Sequence, residues 1–194
     1  MRRTLVCVLM TSLLLLTGCA GGGGVSDAEQ EALLIRSEYL EGETFTARVH
    51  LVADYGQRVY EYGLDASVNG EETLLTVTAP ETVAGVTARM KQDGSLLEYE
   101  NLVLETGPLD ERGLTPVSAL PVLLEEARSG FIHTCSYTEE GELRVDCTDP
   151  EQEPGQGRSS SLWFDRETHS LVKGELSLDG YRMILCEFTD FTME

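Results

Sequence analysis

The chain has 194 residues, 34 of them acidic and only 14 basic, which gives a formal net charge of −20 at neutral pH. A surface this acidic repels phosphate backbones and anionic headgroups, so it argues against nucleic acid as a partner and against a polybasic membrane foot. The length suits one domain that can bury a core without staples.

Met1-Arg2-Arg3 leads into an apolar run to Leu16, followed by Thr17-Gly18-Cys19-Ala20. Two arginines, roughly a dozen apolar or small residues and a small pair before a cysteine have the order of a secretory signal, too short to span a bilayer as a mature helix. The Leu16-Thr17-Gly18-Cys19 box resembles that of bacterial lipoproteins. The resemblance implies cleavage after Gly18, diacylation of Cys19 as the new N-terminus, and an anchor on the extracytoplasmic face of the cell membrane. Residues 1–18 are then a signal and 19–25 a tether, since Gly21 to Gly24 have too much backbone freedom to order themselves. Residues 26–194 form the single domain. Two acyl chains suffice for stable anchoring without further protein contact.

The domain opens with Ser26 and Glu29 at capping-box spacing. Ala28, Ala32, Ile35 and Tyr39 recur at helical period, with Leu33 and Leu40 widening the stripe, and predict a helix over 27–40. The period then changes to two. Phe45, Ala47, Val49, Leu51 and Ala53 alternate with polar neighbours in one strand; after the Tyr55-Gly56-Gln57 turn, Tyr60, Tyr62, Leu64, Ala66 and Val68 share a face of the next. Asn69-Gly70 is a hairpin signal. Strands follow over 73–79, around Val86, Ala88 and Met90, and, past an Asp93-Gly94 turn, over 96–99 and 102–104.

Thr115-Pro116 reads as an N-cap with proline at the first helical position, and Val117, Leu120, Leu123, Leu124 and Ala127 continue at helical spacing. This predicts a second helix over 116–129, with Pro121 kinking it or delaying its start. Strands resume over 131–138 and 142–148, then 161–165, 171–178 and 181–191. Residues 149–160 lack any apolar member and read as a solvated loop.

One helix, a meander of about six strands, an inserted helix and about five more strands resemble the LolA-like lipoprotein carrier superfamily. Local phrases agree: Val77-Thr78-Ala79-Pro80-Glu81 leading to Gly85, Trp163-Phe164-Asp165, Asp179-Gly180, and Phe188-Thr189-Asp190-Phe191. The resemblance implies a mainly β fold, a strongly curved antiparallel sheet or half-barrel of about eleven strands under two covering helices. It also implies a ligand class, acyl chains, and carries no catalytic residue.

Candidate chemistry is sparse. Counting outward from Glu140-Gly141-Glu142 as a hairpin loop sets Cys135 opposite Cys147, in reach of a cross-strand disulfide if that register holds. Free or otherwise paired thiols are the alternative. A His133, Cys135, Cys147 metal site is a third reading, though it lacks Cys-x2-Cys spacing. Cys186 fits a small core residue. No nucleophile elbow, zinc-protease helix or phosphate loop occurs, so no enzyme, metal or cofactor is expected. Asp146, Asp149, Glu151 and Glu153 have no EF-hand spacing.

The apolar faces carry the functional expectation. In a half-barrel, Val117, Leu120, Leu123 and Leu124 line one wall of a cavity and Val49, Leu51, Tyr60, Tyr62 and Leu64 the other; in a filled two-layer core the same residues pack on one another. The expected function is non-enzymatic binding of an acyl chain, lipid or lipopeptide by a membrane-anchored lipoprotein. The alternative is an envelope sensor or scaffold that acts through protein contacts with no ligand inside.

Overall fold

The computed structural model describes residues 25–70, 72–91, 94–100, 102–107, 112–153 and 155–194. The signal, Cys19, the glycine tether and Asp93 of the expected turn lie outside the described residues. Helix α1 spans Asp27–Glu41 and α2 spans Ala119–Ser129. The strands are β1 (Thr44–Asp54), β2 (Val59–Asn69), β3 (Glu72–Ala79), β4 (Thr87–Lys91), β5 (Gly94–Tyr99), β6 (Leu102–Gly107), β7 (Ile132–Tyr137), β8 (Leu143–Thr148), β9 (Arg158–Phe164), β10 (Leu171–Leu178) and β11 (Tyr181–Met193). All eleven join one sheet, in the order β6-β5-β4-β3-β2-β1-β11-β10-β9-β8-β7. Two meanders, β1 to β6 and β7 to β11, are thus sewn together by antiparallel pairing of β1 with β11, in which Val49 faces Phe188 and Leu51 faces Cys186.

Both helices lie over one side of this seam, α1 on β7 and β8 and α2 on β9 and β10. Ser26 caps α1 by accepting the Glu29 N–H at 3.2 Å, and the buried row is Ala28, Ala32, Ile35 and Tyr39. Leu33 and Leu40 do not widen it: they are 50% and 62% exposed, as is Leu34 at 53%. Successive helical residues turn about 100°, so a residue one step past the buried row points away from a sheet met along a narrow line. Before α2, the Thr115 hydroxyl accepts the Ser118 N–H at 3.2 Å, and residues 116–118 form a turn rather than helix. Pro121 is then the third residue of α2, where its missing N–H leaves no bond unmade. No kink results.

The helices clasp each other through two arginines. Arg128 of α2 donates to the carbonyls of Tyr39 at 3.0 Å and Gly42 at 3.2 Å, at the end of α1. Arg36 of α1 donates to the carbonyl of Gly130 at 2.5 Å, at the end of α2. Each helix thus satisfies the orphan carbonyls of the other with a positive charge at its negative pole. Tyr39 ties the pair to the sheet: its hydroxyl donates to the His169 carbonyl at 3.1 Å and accepts the Leu171 N–H at 2.8 Å, and its ring packs among Phe45, Phe164 and Phe191.

The strand bounds and the hairpin register differ from the expectation at two places. β9 begins at Arg158, inside the stretch read as loop. Its polar start is accommodated because Glu126 of α2 pairs with Arg158 and accepts the Ser160 hydroxyl at 3.2 Å. In the β7–β8 hairpin, the Thr138 N–H bonds the Glu142 carbonyl, so the loop is Glu139-Glu140-Gly141. Moving the loop by one residue moves every partner by two. Cys135 therefore faces Val145, Cys147 faces Ile132 across a bulge, and all three described cysteines are free thiols.

Helix α2 approaches the sheet at Gly174, where a Cβ would stand 2.7 Å and 2.9 Å from the two methyls of the fully buried Leu123. Overpacking of this kind costs about 1–3 kcal/mol. Gly174→Ala should lower the unfolding free energy by that amount, seen as a lower urea midpoint with the denaturant slope unchanged; an unaltered midpoint would show that α2 is not seated there.

Candidate functional site, a cleft on the uncovered half of the sheet

On the far side of the seam the same concave face continues without a helix. Register places Leu64 beside Val77 and Ala66 beside Leu75, Leu75 beside Ala88, and Ala88 beside Leu97. Directly opposed residues share a face, so these side chains form an apolar floor running from β2 to β5. Two turns arch over it. One, between β3 and β4, contributes Val83 and Val86; the other, before α2, contributes Pro116 and Val117. Between floor and turns lies a cleft of about 330 Å³, with Tyr62 at its side and no charged residue in its lining.

The roof is held by polar contacts set back from the cleft. Thr115 and Ser118 exchange hydrogen bonds across their turn, hydroxyl to hydroxyl at 2.6 Å. The Tyr55 hydroxyl donates to the Leu114 carbonyl at 2.9 Å, fastening the β1–β2 turn to the segment that precedes α2. The floor is nearly sealed from water at Leu64, Leu75 and Ala88, whereas Val77, Leu97 and Val117 are half-buried. The cleft is therefore an apolar recess with a roof, open along one side.

Of the residues expected at a cavity wall, the structure brings Tyr62, Leu64 and Val117 to this cleft. Val49, Leu51, Leu120, Leu123 and Leu124 do not line it and lie in the buried cluster, each no more than 3% exposed, a cluster to which Leu64 also belongs. Tyr60 lies on the surface, edge-on to Tyr55 with ring centres 6.1 Å apart. Sequence reasoning missed Leu75, Val77, Val83, Val86, Ala88, Leu97 and Pro116. The alternation of β3 to β5 was visible, but nothing in a single strand says whether a helix or a turn will cover it.

Other concavities offer less. A groove of about 540 Å³ runs between the start of α1 and the edge strand β7, past Glu29, Arg36, Phe131, His133 and Cys135. Its Arg36 guanidinium bonds the Gly130 carbonyl through one nitrogen, while Nε is buried without a hydrogen-bond partner among the described residues. Beyond it Arg166 grips Glu31 at 3.0 Å and 3.1 Å, the Tyr137 hydroxyl donates to the same carboxylate at 2.8 Å, and Arg166 lies over the Tyr137 ring. The hydrogen bond from Arg166, followed by that from Tyr137, holds the Glu31 carboxyl below its ordinary range. This is a strap between α1, β7 and the β9–β10 turn. Among the described residues no group of three or more His, Cys, Asp or Glu side chains is placed to hold a metal ion.

No protein-family model matches the chain, and no curated protein matches it in sequence. Among solved structures it is similar to an uncharacterized conserved protein of Thermus thermophilus, at 9% identity and a TM-score of 0.50 over 85% of this chain and 86% of that one. It is also similar to a LolA superfamily protein of Nitrosomonas europaea, at 10% identity and 0.45 over 86% and 93%. A third is the lipoprotein LppX of Mycobacterium tuberculosis, at 14% and 0.42 over 86% and 96%. At such identities the likeness is one of fold, and the architecture is the curved eleven-stranded sheet with two helices that the LolA-like resemblance implied.

Burial pushes the Cys147 thiol up to about 12, with Glu126 adding to the effect, and raises Cys186 and Cys135 as well. At pH 8 a thiol of that kind is about 10⁻⁴ thiolate, against roughly a quarter for an unshifted cysteine. Alkylation of Cys147 and Cys186 in the folded chain should therefore run more than a hundredfold slower than in urea. Rapid labelling of Cys147 under native conditions would overturn this placement.

Proposed function

We propose that this chain is a membrane-tethered binding protein that holds a hydrophobic ligand, an acyl chain, lipid or lipopeptide, in the cleft over β2 to β5, without performing chemistry on it. The observation that carries the reading is the recess itself: about 330 Å³, walled by aliphatic side chains and Tyr62 and free of charge. That volume lies at the lower end of ordinary ligand pockets. Each methylene moved from water into it is worth about 0.8 kcal/mol, so eight to ten of them supply roughly 6–8 kcal/mol before the costs of association.

The protonated thiols support a non-enzymatic role, because the cysteines are poor nucleophiles where they sit. The tether completes the reading. Among the described residues no helix is long and apolar enough to cross a membrane, so the anchor would be the lipid on Cys19. Six residues from there to Val25 reach at most about 20 Å, which keeps the domain close to the surface it is fixed to.

The full chain purified from cells and opened by native mass spectrometry and lipid extraction should release a hydrophobic small molecule. Val117→Asp and Leu97→Asp place a charge in the half-buried wall and should reduce its occupancy at least tenfold while thermal unfolding stays cooperative. Leu120 and Leu123 are unsuitable probes, since a charge in the sealed core would cost the fold. An empty native chain that also takes up no fluorescent fatty acid would refute a ligand-carrying role.

A further inference from the structure

The two edges of the sheet are treated differently. β7 is protected in part: α1 packs against it and a bulge between Ile132 and Thr134 breaks its line. β6 has no helix packed on it, and its one register shift lies at its far end, at Thr106, leaving Leu102 to Glu105 in regular pairing with β5. All six of its residues are exposed, and Leu102, Val103 and Leu104 are exposed at 73%, 64% and 61%. Natural edge strands are ordinarily blunted with lysine, proline or a bulge, because a flat apolar edge presents an open row of N–H and C=O groups to any strand that meets it. This edge is also continuous with the cleft floor, for Leu104 lies opposite Leu97 and Leu102 opposite Tyr99.

Charge selects what can lie there. Residues 94–107, the β5–β6 hairpin, contain Glu98, Glu100 and Glu105 and no lysine or arginine. Arg89 approaches Glu98 at 3.9 Å, and among the described residues no cation pairs with Glu100 or Glu105. A second copy of this chain would bring the same carboxylates against themselves. An extended segment carrying alternate apolar and basic residues meets both requirements at once.

We infer that β6 is a docking edge for an extended, basic and apolar segment of a partner protein, which adds to the sheet as a twelfth strand. Backbone pairing supplies the affinity, the apolar residues of the segment cover Leu102 and Leu104, and its lysines or arginines face Glu100 and Glu105. This site is separate from ligand binding in the cleft and stands or falls without it.

The probe is a six-residue capped peptide of alternating valine and lysine, added to the full chain at low salt and followed by amide hydrogen exchange. Exchange across 102–107 should slow at least tenfold and recover in high salt. The same peptide with glutamate for lysine, or with alternate amides N-methylated, should bind at least tenfold more weakly. The double variant Leu102→Lys, Leu104→Lys, at exposed positions where the fold is not at risk, should also lose at least tenfold. No protection at β6 would overturn the inference, as would equal binding of the acidic or N-methylated peptide. A peptide-free dimer that buries β6 would assign the edge to a second copy instead.

Discussion

Two helices cannot cover eleven strands. Strands repeat about every 4.8 Å, so the sheet is about 50 Å wide along its curve, whereas two helices packed side by side span about 20 Å, or roughly four strands. α1 and α2 pack mainly on β7 to β10, and reach β1 and β11 through Tyr39 and Arg128. Everything distinctive about the molecule follows from that mismatch. Over β7 to β10 the concave face becomes ordinary core; over β2 to β5 it must be shielded by turns, which are thinner and leave space. The cleft lies where the sheet outruns its helices.

The mismatch has a one-sided outcome because the helices are not free to slide toward the centre. Each arginine of the clasp caps the other helix, and Tyr39 ties α1 to the β9–β10 turn through both its hydroxyl and its ring. Gly174 lets α2 settle onto β10 at a distance that any side chain would forbid. With the helices fixed at one side, the seam between β1 and β11 divides a helix-covered half from the half that holds the cleft. The same division leaves β6, the strand farthest from the helices, as the bare edge.

Much of this was legible in the sequence, and the errors are instructive. Period and turn chemistry located both helices and all eleven strands, because alternation and helical spacing are local properties. The pairing of β1 with β11 was not legible, since nothing local brings the two ends of a domain together. The cysteine register failed by one loop residue, which is all that a hairpin needs to move its partners by two. Ser159 and Ser160 looked like loop because polarity is a poor guide where a strand meets a half-buried glutamate of a covering helix. The cleft was half legible: Tyr62, Leu64 and Val117 were named for it, but Leu120 and Leu123 were too. An apolar helix face against an apolar strand face does not reveal whether the two touch. Only the width of the sheet decides that, and width is a sum over strands that no one strand contains.

The most direct test of this account is methyl NMR of the full chain titrated with dodecanoic acid. Shifts are expected at the methyls of Leu75, Val83, Leu97 and Val117, which saturate together, while those of Leu123, Leu162 and Leu176 stay where they are. Shifts centred on the methyls beneath the helices, or none at saturating fatty acid, would contradict the claim that the half of the sheet that holds the cleft is the binding surface.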